Sequence, residues 1–545
     1  MTSLTFYSGV GEIGGNKILL EDNGTRVFLD FGTRMGFSSG FFSEFLGARK
    51  NTELKDKIAI GALPKISGIY RNGMIKPEGL NTSFQSRYKR VLGPDSALLS
   101  LNGVDSYEKY LIENNEAFLD AVLLSHAHLD HSGDIGYIHP SVPLFCSKET
   151  GVLVQAIDEI TTFKSNALAS KSNRVSENGE RSFFPGSPKI VKDGVERGSR
   201  LLDDLETASI GDMKITLIGQ DHSVPGAASF LIEASGKRIL YTGDIRFHGT
   251  YPMTVSEYAK KIGMSVDVMI CEGTRIDSKR TITEEEIKEN IYQGISETRG
   301  LVFIDFSWKD TTRFETILDA AKRAGRIFVI NARLAYLLDR LGKYPKDEGV
   351  KVFLKRKDSC LYSPGDYKNT KHELGLSVNW KEDGVDTTHY DRGVTALDLA
   401  SEPGKYVMML SFFDLNQIFD LADSEGNIDS SRFIRAQCEP FSDEMELDEE
   451  RFINWLEKFG VQFAEADVHL PDGCSNTECN KIRRRMDRSH VSGHASGHEL
   501  INLINTINPK KLFPIHTEKS GLFKELLKGS GIEIVEPVVG KTYQL

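Results

Sequence analysis

At 545 residues the chain is longer than one ordinary domain and suits two or three. Its 39% hydrophobic and 27% charged residues are those of a globular protein with a sizeable core. The net charge of -11 excludes a broadly basic surface that coats nucleic acid, while leaving room for a local basic groove.

The chain opens on MTSLTFYSGVGEIGG, which has neither the basic start nor the apolar run of a secretory signal. Short strands follow at LTFYS, NKILLE and TRVFLDFG, joined by glycine turns. Residues 33–118 read as an irregular insert. AVLLS (121–125) is a buried strand that ends on a histidine cluster, and a helix is expected from Lys148 to about Asn166. The polar stretch SKSNRVSENGERSFFPGSPK reads as a surface loop. Strands recur at 214–218, 227–233 and 238–242. From 267 onward strands alternate with helices: VDVMICE, a helix at 284–297, LVFIDFS, a helix at 310–324, then RIFVINA. That alternation implies an α/β unit on a parallel sheet. The acidic run Asp443–Glu450 reads as a solvated helix start, and LFPI is one more strand near the end.

Six scattered cysteines, at 146, 271, 360, 438, 474 and 479, form no CxxC pair. They suit a reducing compartment better than a disulfide scaffold. No stretch approaches the ~18 apolar residues of a membrane helix. The expectation is a cytoplasmic protein without a membrane partner.

The chemistry is concentrated in SHAHLDH, residues 125–131, where a strand delivers His126, His128, Asp130 and His131. Four metal-capable side chains in six residues crowd a single tetrahedral ion but can serve two neighbouring ions, each keeping a position for solvent. Three of the chain's 13 histidines fall in this window, a density that a chance polar loop does not explain.

HxHxDH after a hydrophobic strand resembles the signature of the metallo-β-lactamase superfamily, and further motifs follow in the family's order. Asp30 ends TRVFLD, DHSVPGA supplies His222, and YTGDIRF supplies Asp244. The resemblance implies an αββα sandwich in which His126, His128 and His222 hold one zinc. Asp130 and His131 would hold a second, with Asp244 bridging and Asp30 orienting a ligand histidine by hydrogen bonding. CEGT (Glu272), HVSGHAS (His494) and PIHTE (His516) resemble three extra motifs of the β-CASP nucleases, the branch that contains ribonuclease J. FSWKDTTRF, with Arg313, resembles the opening helix of the inserted β-CASP α/β domain. The expected organisation is therefore a lactamase domain over 1–245, a β-CASP domain over 246–485, and completion of the lactamase domain over 486–545.

The resemblance implies a zinc-dependent ribonuclease with two Zn2+ per chain, Mn2+ or Mg2+ being alternative activators. Hydroxide at the two-metal centre would attack phosphorus, as 5′-exonuclease, endonuclease or both. His494 is the candidate proton donor, Glu272 its orienting partner, and His516 joins the metal ligands. Ser492, Gly493, Ala495 and Ser496 offer a small-residue turn for a phosphate. Arg485, among Arg483, Arg484 and Arg488, could track the RNA backbone, as could Arg87, Lys89 and Arg90 with Phe84 and Tyr88. His490 and His498 read as structural; His139, His248, His372, His389 and His469 carry no motif. RNA is preferred to DNA because the family's last motif is usually histidine in its RNA enzymes, and here it is His516. The departures are the long gap from Asp30 to His126, PIHTE in place of the commoner HGE, and only 29 residues after His516. The 33–118 segment is thus an expected channel cap or protein-partner surface, and a homodimer is compatible with the sequence. A DNA nuclease, a small-molecule (thio)ester or lactone hydrolase and a binding subunit with a dead site are the competing readings.

Overall fold

The computed structural model describes residues 1–43, 45–49, 52–75, 101–161, 167–168, 197–250, 253–263, 265–279, 282–345, 347–356, 393–438, 443–463 and 490–545. Three seven-stranded sheets organise them. The first runs Thr542–Gln544, Ser3–Ser8, Lys17–Asp22, Thr25–Phe31, Ala121–Leu123, Leu144–Ser147, Ser199–Leu202. The second runs Glu533–Ile534, Lys511–Ile515, Val268–Glu272, Lys237–Tyr241, Ala228–Ala234, Met213–Gly219, Thr207–Ile210.

Alternation explains how these two sheets pack. In Thr25–Phe31, Val27 and Leu29 enter a cluster with Phe230, Ile232, Ile239 and Ile270 of the second sheet, while Phe28 faces the opposite way. Side chains of one strand thus line two cores, as a period of two requires. The outer face of the first sheet is covered by helix Lys148–Ile160, which Ser147 caps by accepting from Thr150 N at 3.0 Å. Helices Val255–Ile262 and Gly497–Ile507 cover the second sheet through Tyr258, Leu500, Leu503 and Ile504. The result is the expected αββα sandwich. Among the described residues no helix is long and apolar enough to cross a membrane.

The third sheet is wholly parallel, in the order Gly393–Val394, Val350–Phe353, Ile327–Ile330, Tyr406–Met409, Val302–Asp305, Arg432–Arg435, Gln462–Phe463. It has helices on both faces, as near-continuous apolar strands demand. This inserted unit begins later than position 246. Val268–Glu272 pairs in parallel with both Lys237–Tyr241 and Lys511–Ile515 and is buried throughout, so it belongs to the sandwich.

Part of the 33–118 segment is also regular, contrary to expectation. It contributes helices Glu53–Ile60 and Tyr107–Asn114. Its Leu54, Leu63, Ile69, Tyr70 and Tyr107 join the core outside the first sheet. These residues therefore build one α layer of the sandwich.

Candidate metal centre

One edge of the sandwich collects the motif residues. Ser125 and His126 follow strand Ala121–Leu123, and His128 immediately precedes the short helix Leu129–Ser132 that carries Asp130 and His131. His222, Asp244, Glu272 and His516 lie at or just beyond the C-terminal ends of four strands of the second sheet. Parallel pairing of the last three strands brings those ends to the same side.

Their donor atoms fall into two four-membered sets sharing Asp244, each set lying within 4.8 Å: His126, His128, His222, Asp244 and Asp130, His131, His516, Asp244. Within the first set, His128 Nδ1 is 3.0 Å from His126 Nε2 and 3.1 Å from His222 Nε2. Asp244 Oδ2 is 3.5 and 3.7 Å from the Nε2 atoms of His126 and His222. In the second set, His516 Nε2 lies 3.2 Å from Asp130 Oδ2, and His131 Nε2 lies 3.2 Å from Asp244 Oδ2. Two donors ~2.0–2.1 Å from a tetrahedral zinc stand about 3.3 Å apart, so these spacings are the edges of such a tetrahedron.

Two fully buried atoms sharpen the fit: His131 Nε2 and Asp244 Oδ1 have no hydrogen-bond partner. A buried polar atom without a partner is costly, and a cation between these groups satisfies both. Electrostatics agrees. Burial pushes His126 and His222 well below the usual imidazole range and His128 down to about 4, so their lone pairs are free. His131 is held well above that range: burial opposes it, but Asp244, Asp130 and Asp30 outweigh burial. Such a concentration of carboxylates calls for positive charge.

The orienting contacts are equally specific. Asp30 is the unmatched residue of a β-bulge, since Lys17 pairs with Phe31 and Ile18 with Leu29. Its backbone is left-handed, with φ 55°. Asp30 Oδ2 accepts from His131 Nδ1 at 2.6 Å, Ser125 Oγ at 2.7 Å and Tyr241 OH at 2.5 Å, while Oδ1 accepts from Ser125 N at 2.7 Å. That arrangement puts the His131 proton on Nδ1 and leaves Nε2 for a metal. His222 Nδ1 donates to Gly493 O at 2.5 Å, with the same consequence. Thr274 Oγ1 lies 2.8 Å from His516 Nδ1. Asp130 is held through its carbonyl, which accepts from Gly15 N at 2.9 Å. Gly32 packs so tightly on that carbonyl that a Cβ would lie 1.7 Å from it. Sequence reading missed Ser125, Tyr241 and Thr274, although all three lie inside the quoted motifs SHAHLDH, YTGDIRF and CEGT.

His494 stands beside both sets, its ring 5.1 Å from that of His222 and 5.5 Å from that of His516. Its Nδ1 is 3.0 Å from Glu272 Oε2. Burial lowers its pKa, but Glu272 and Asp244 overcome that and raise it to about 9. Glu272 is fully buried and also accepts from Ile245 N at 2.9 Å. Glu272, His494, His516 and Asp244 form a third metal-capable group.

The expected phosphate turn is more structural than its small residues suggest. Ser496 is wholly buried and caps helix Gly497–Ile507 in a capping box with Glu499, and Ala495 is wholly buried with its N–H given to Ile245 O. Neither has a hydroxyl or amide to spare for an anion. At Gly493 a Cβ would meet Ser223 Oγ at 2.6 Å and His222 Cε1 at 3.0 Å, so its smallness serves His222. Ser492 Oγ accepts from His494 N at 3.1 Å. His248, which carries no motif, steadies this turn by bonding Glu499 at 2.9 Å and Ser492 O at 3.2 Å. His490 packs beneath the turn with Nδ1 3.3 Å from Ala436 O, while His498 is exposed. Arg485 and the other arginines of 483–488, the basic set at 87–90, and His372, His389 and His469 lie outside the described residues. A cavity of about 270 Å³ at the C-terminal edge of the third sheet, lined by Phe412, Phe433, Phe452 and Arg435, includes none of the metal-capable residues.

Comparison with known proteins agrees with this architecture. Residues 111–295 match a beta-lactamase superfamily domain, and residues 481–537 match a Zn-dependent metallo-hydrolase RNA specificity domain. Ribonuclease J of Mycoplasma pneumoniae is 24% identical over 427 residues, covering 77% of this chain and 61% of that protein. Ribonuclease J of Mycoplasma genitalium is 24% identical over 432 residues, with the same shares of 77% and 61%. The chain thus spans about three fifths of the length of these relatives. A crystal structure of a protein of unknown function from Enterococcus faecalis V583 superposes over the whole of both chains, with a TM-score of 0.66 at 21% identity. Taken with the ligand geometry, these matches give residues 111–295 as a beta-lactamase superfamily domain and residues 481–537 as a Zn-dependent metallo-hydrolase RNA specificity domain, in a chain similar to ribonuclease J over about three quarters of its length.

Proposed function

We propose that the protein is a metal-dependent ribonuclease that hydrolyses phosphodiester bonds from a 5′ end, internally, or both. The observation that carries the reading is the pair of four-donor sets sharing Asp244, with His494 and Glu272 set against them. His126, His128 and His222 would hold one Zn2+ and Asp130, His131 and His516 the other, with Asp244 common to both; Mn2+ or Mg2+ are alternative activators. Bound metals supply Lewis acidity and a lowered pKa for the attacking water.

The chain's own residues do the rest. Asp30, Gly493 O and Thr274 fix the rings of His131, His222 and His516 so that each presents Nε2. Glu272 occupies His494 Nδ1 and keeps the imidazole protonated at neutral pH, leaving the Nε2 proton for the departing oxygen. Ser492 and Gly493 form the part of the turn that can meet a phosphate, with Ser492 also aligning His494. RNA is the substrate favoured by the name of the matched specificity domain and by the names of the relatives.

The test uses purified, zinc-loaded protein with end-labelled RNA and DNA bearing 5′-hydroxyl, monophosphate or triphosphate ends. The expected result is about two zinc ions per chain and RNA cleaved faster than DNA. A protein that holds two zinc ions yet leaves every RNA intact overturns the reading; faster cleavage of DNA moves it to a DNA nuclease.

A further inference from the structure

The inserted domain sets one turn beside the metal centre, and its lysine is employed by neither the ligand sets nor the His494–Glu272 pair. Between strand Val302–Asp305 and helix Thr311–Arg323 the chain turns through Ser307–Asp310, closed by Asp310 N donating to Ser307 O at 2.9 Å. This turn is fastened on two sides. Trp308 packs against both the core outside the first sheet and the core of the inserted sheet. Thr312 Oγ1 donates to Asp310 Oδ1 at 2.7 Å and accepts from the Arg246 guanidinium at 3.2 Å. The fully buried Arg246 also grips Asp221, the residue before His222, at 3.1 Å and reaches Ser492 O at 3.5 Å. One guanidinium therefore ties the turn to His222 on one side and to the His494 turn on the other.

Lys309 rides on this fastened turn. It is half-buried with its ammonium over the Trp308 ring, 5.9 Å from the ring centre, and among the described residues it makes no hydrogen bond and no ion pair. Its charge nevertheless acts on the centre: burial lowers its pKa, Asp130 opposes that, and Lys309 in turn disfavours the proton on His128. A structural lysine in this protein looks different. Lys17, wholly buried, ends 3.0 Å from Asp134 Oδ2. A partly desolvated ammonium without a carboxylate is unfavourable until an anion arrives. Asp130, Asp244 and Glu272 meanwhile repel an anionic backbone, so a cation at the rim answers a need of the substrate.

We propose that Lys309 is a substrate-binding residue, its ammonium pairing with a non-bridging oxygen of the RNA phosphate that reaches the metal centre. The inference rests on the ribonuclease reading, and it gives the inserted domain a direct contact with the substrate. A contact made equally in ground and transition states raises KM and leaves kcat nearly unchanged.

The test compares wild type, Lys309→Met and Lys309→Arg, all zinc-loaded, in cleavage and in binding of a non-hydrolysable RNA across a salt series. Lys309→Met is expected to keep its zinc and most of its kcat while KM rises by about tenfold to a hundredfold. The slope of log affinity against log salt should fall by about 0.7. Lys309→Arg, which keeps the charge, should recover most of the affinity and the slope. If the wild type cleaves RNA while Lys309→Met keeps its KM and salt slope, the inference falls and the ribonuclease reading stands. Loss of zinc in Lys309→Met with an unchanged salt slope also overturns it, since the lysine would then be structural. A zinc-loaded wild type inert toward RNA overturns both.

Discussion

Replacing Asp30 with asparagine tests how the second ligand set is oriented, because the change preserves shape and alters only charge and proton count. The carboxylate accepts four hydrogen bonds: Ser125 N on Oδ1, and Ser125 Oγ, His131 Nδ1 and Tyr241 OH on Oδ2. An amide nitrogen at the Oδ2 position would face three donors; at the Oδ1 position it faces one, Ser125 N. The second orientation is therefore adopted. The Ser125 N–H then loses its acceptor and the buried amide adds two N–H groups of its own, each unsatisfied N–H costing about 1–3 kcal/mol of folding stability. The neutral amide also withdraws the negative charge that makes His131 Nε2 a strong donor, a change that lowers metal affinity by about 10- to 100-fold. His128 and His222 make no contact with Asp30, so their ion should stay. Zinc titration against a chelating buffer, with elemental analysis at each free-zinc level, should show two classes of site in the variant where the wild type has two tight ones. Urea unfolding of the metal-free forms gives the stability term. Equal loss of both ions, or two unchanged affinities, refutes the claim that Asp30 acts through His131.

Three further outcomes follow from the geometry. His494→Ala should retain both zinc ions while slowing RNA cleavage by about 10²–10⁴, whereas His516→Ala should weaken the ion held with Asp130 and His131. Equal metal loss in the two variants, read by elemental analysis, would make His494 a ligand. RNA with a 5′-monophosphate should be degraded from its end faster than triphosphorylated RNA, and Ser492→Leu should erase that difference. Because the Ser492 hydroxyl also accepts from His494 N at 3.1 Å, internal cleavage should slow as well; a wild type indifferent to its 5′ end contradicts the expectation. Burial and the charge of Arg313 hold His490 down to about 3, so the unfolded chain binds one more proton than the folded one between there and the ordinary imidazole value. Folding stability should then fall as pH drops from about 6.5 toward that value, and His490→Gln should flatten this part of the profile in urea unfolding.

How much of this was legible in the sequence depends on the distance over which each signal acts. SHAHLDH needs only a strand and a turn to bring three histidines and an aspartate together, so its chemistry can be read directly. The helix Glu284–Glu297, capped by Thr283 and Glu286, is equally local and agrees with the expected range. The partners that aim the ligands are not local: Thr274 and His516 are 242 positions apart, and Ser125 and Asp30 are 95 apart. Residues 340–460 were largely unread because their strands, among the described residues, are two to four residues long, such as Val350–Phe353 and Gly393–Val394, too short for a periodicity to emerge. The boundary at 246 was misplaced for a related reason: VDVMICE suits either sheet, and only its pairing with Lys511–Ile515 decides between them.

The small residues of HVSGHAS raise a subtler difficulty, since smallness has several physical causes and sequence records only the result. Gly493 is small because His222 lies against it, and Ser496 because a helix needs a cap. Only Ser492 has a side chain that is neither wholly buried nor committed to capping. An anion site inferred from a run of small residues is therefore narrower than the run. The converse holds at Asp30, where an ordinary strand-end aspartate proves to be the extra residue of a bulge with a left-handed backbone. An unfavourable local conformation of that kind is retained when surrounding contacts fix it, and here the contacts are the four hydrogen bonds that set the proton of His131. His516, also left-handed at φ 51°, is fixed in the same way, with its N–H on Gly9 O and its ring on Thr274. Two of the residues assigned to one ion thus depend on backbone geometry that the fold imposes, which is why the second ligand set, more than the first, should respond to changes outside its own side chains.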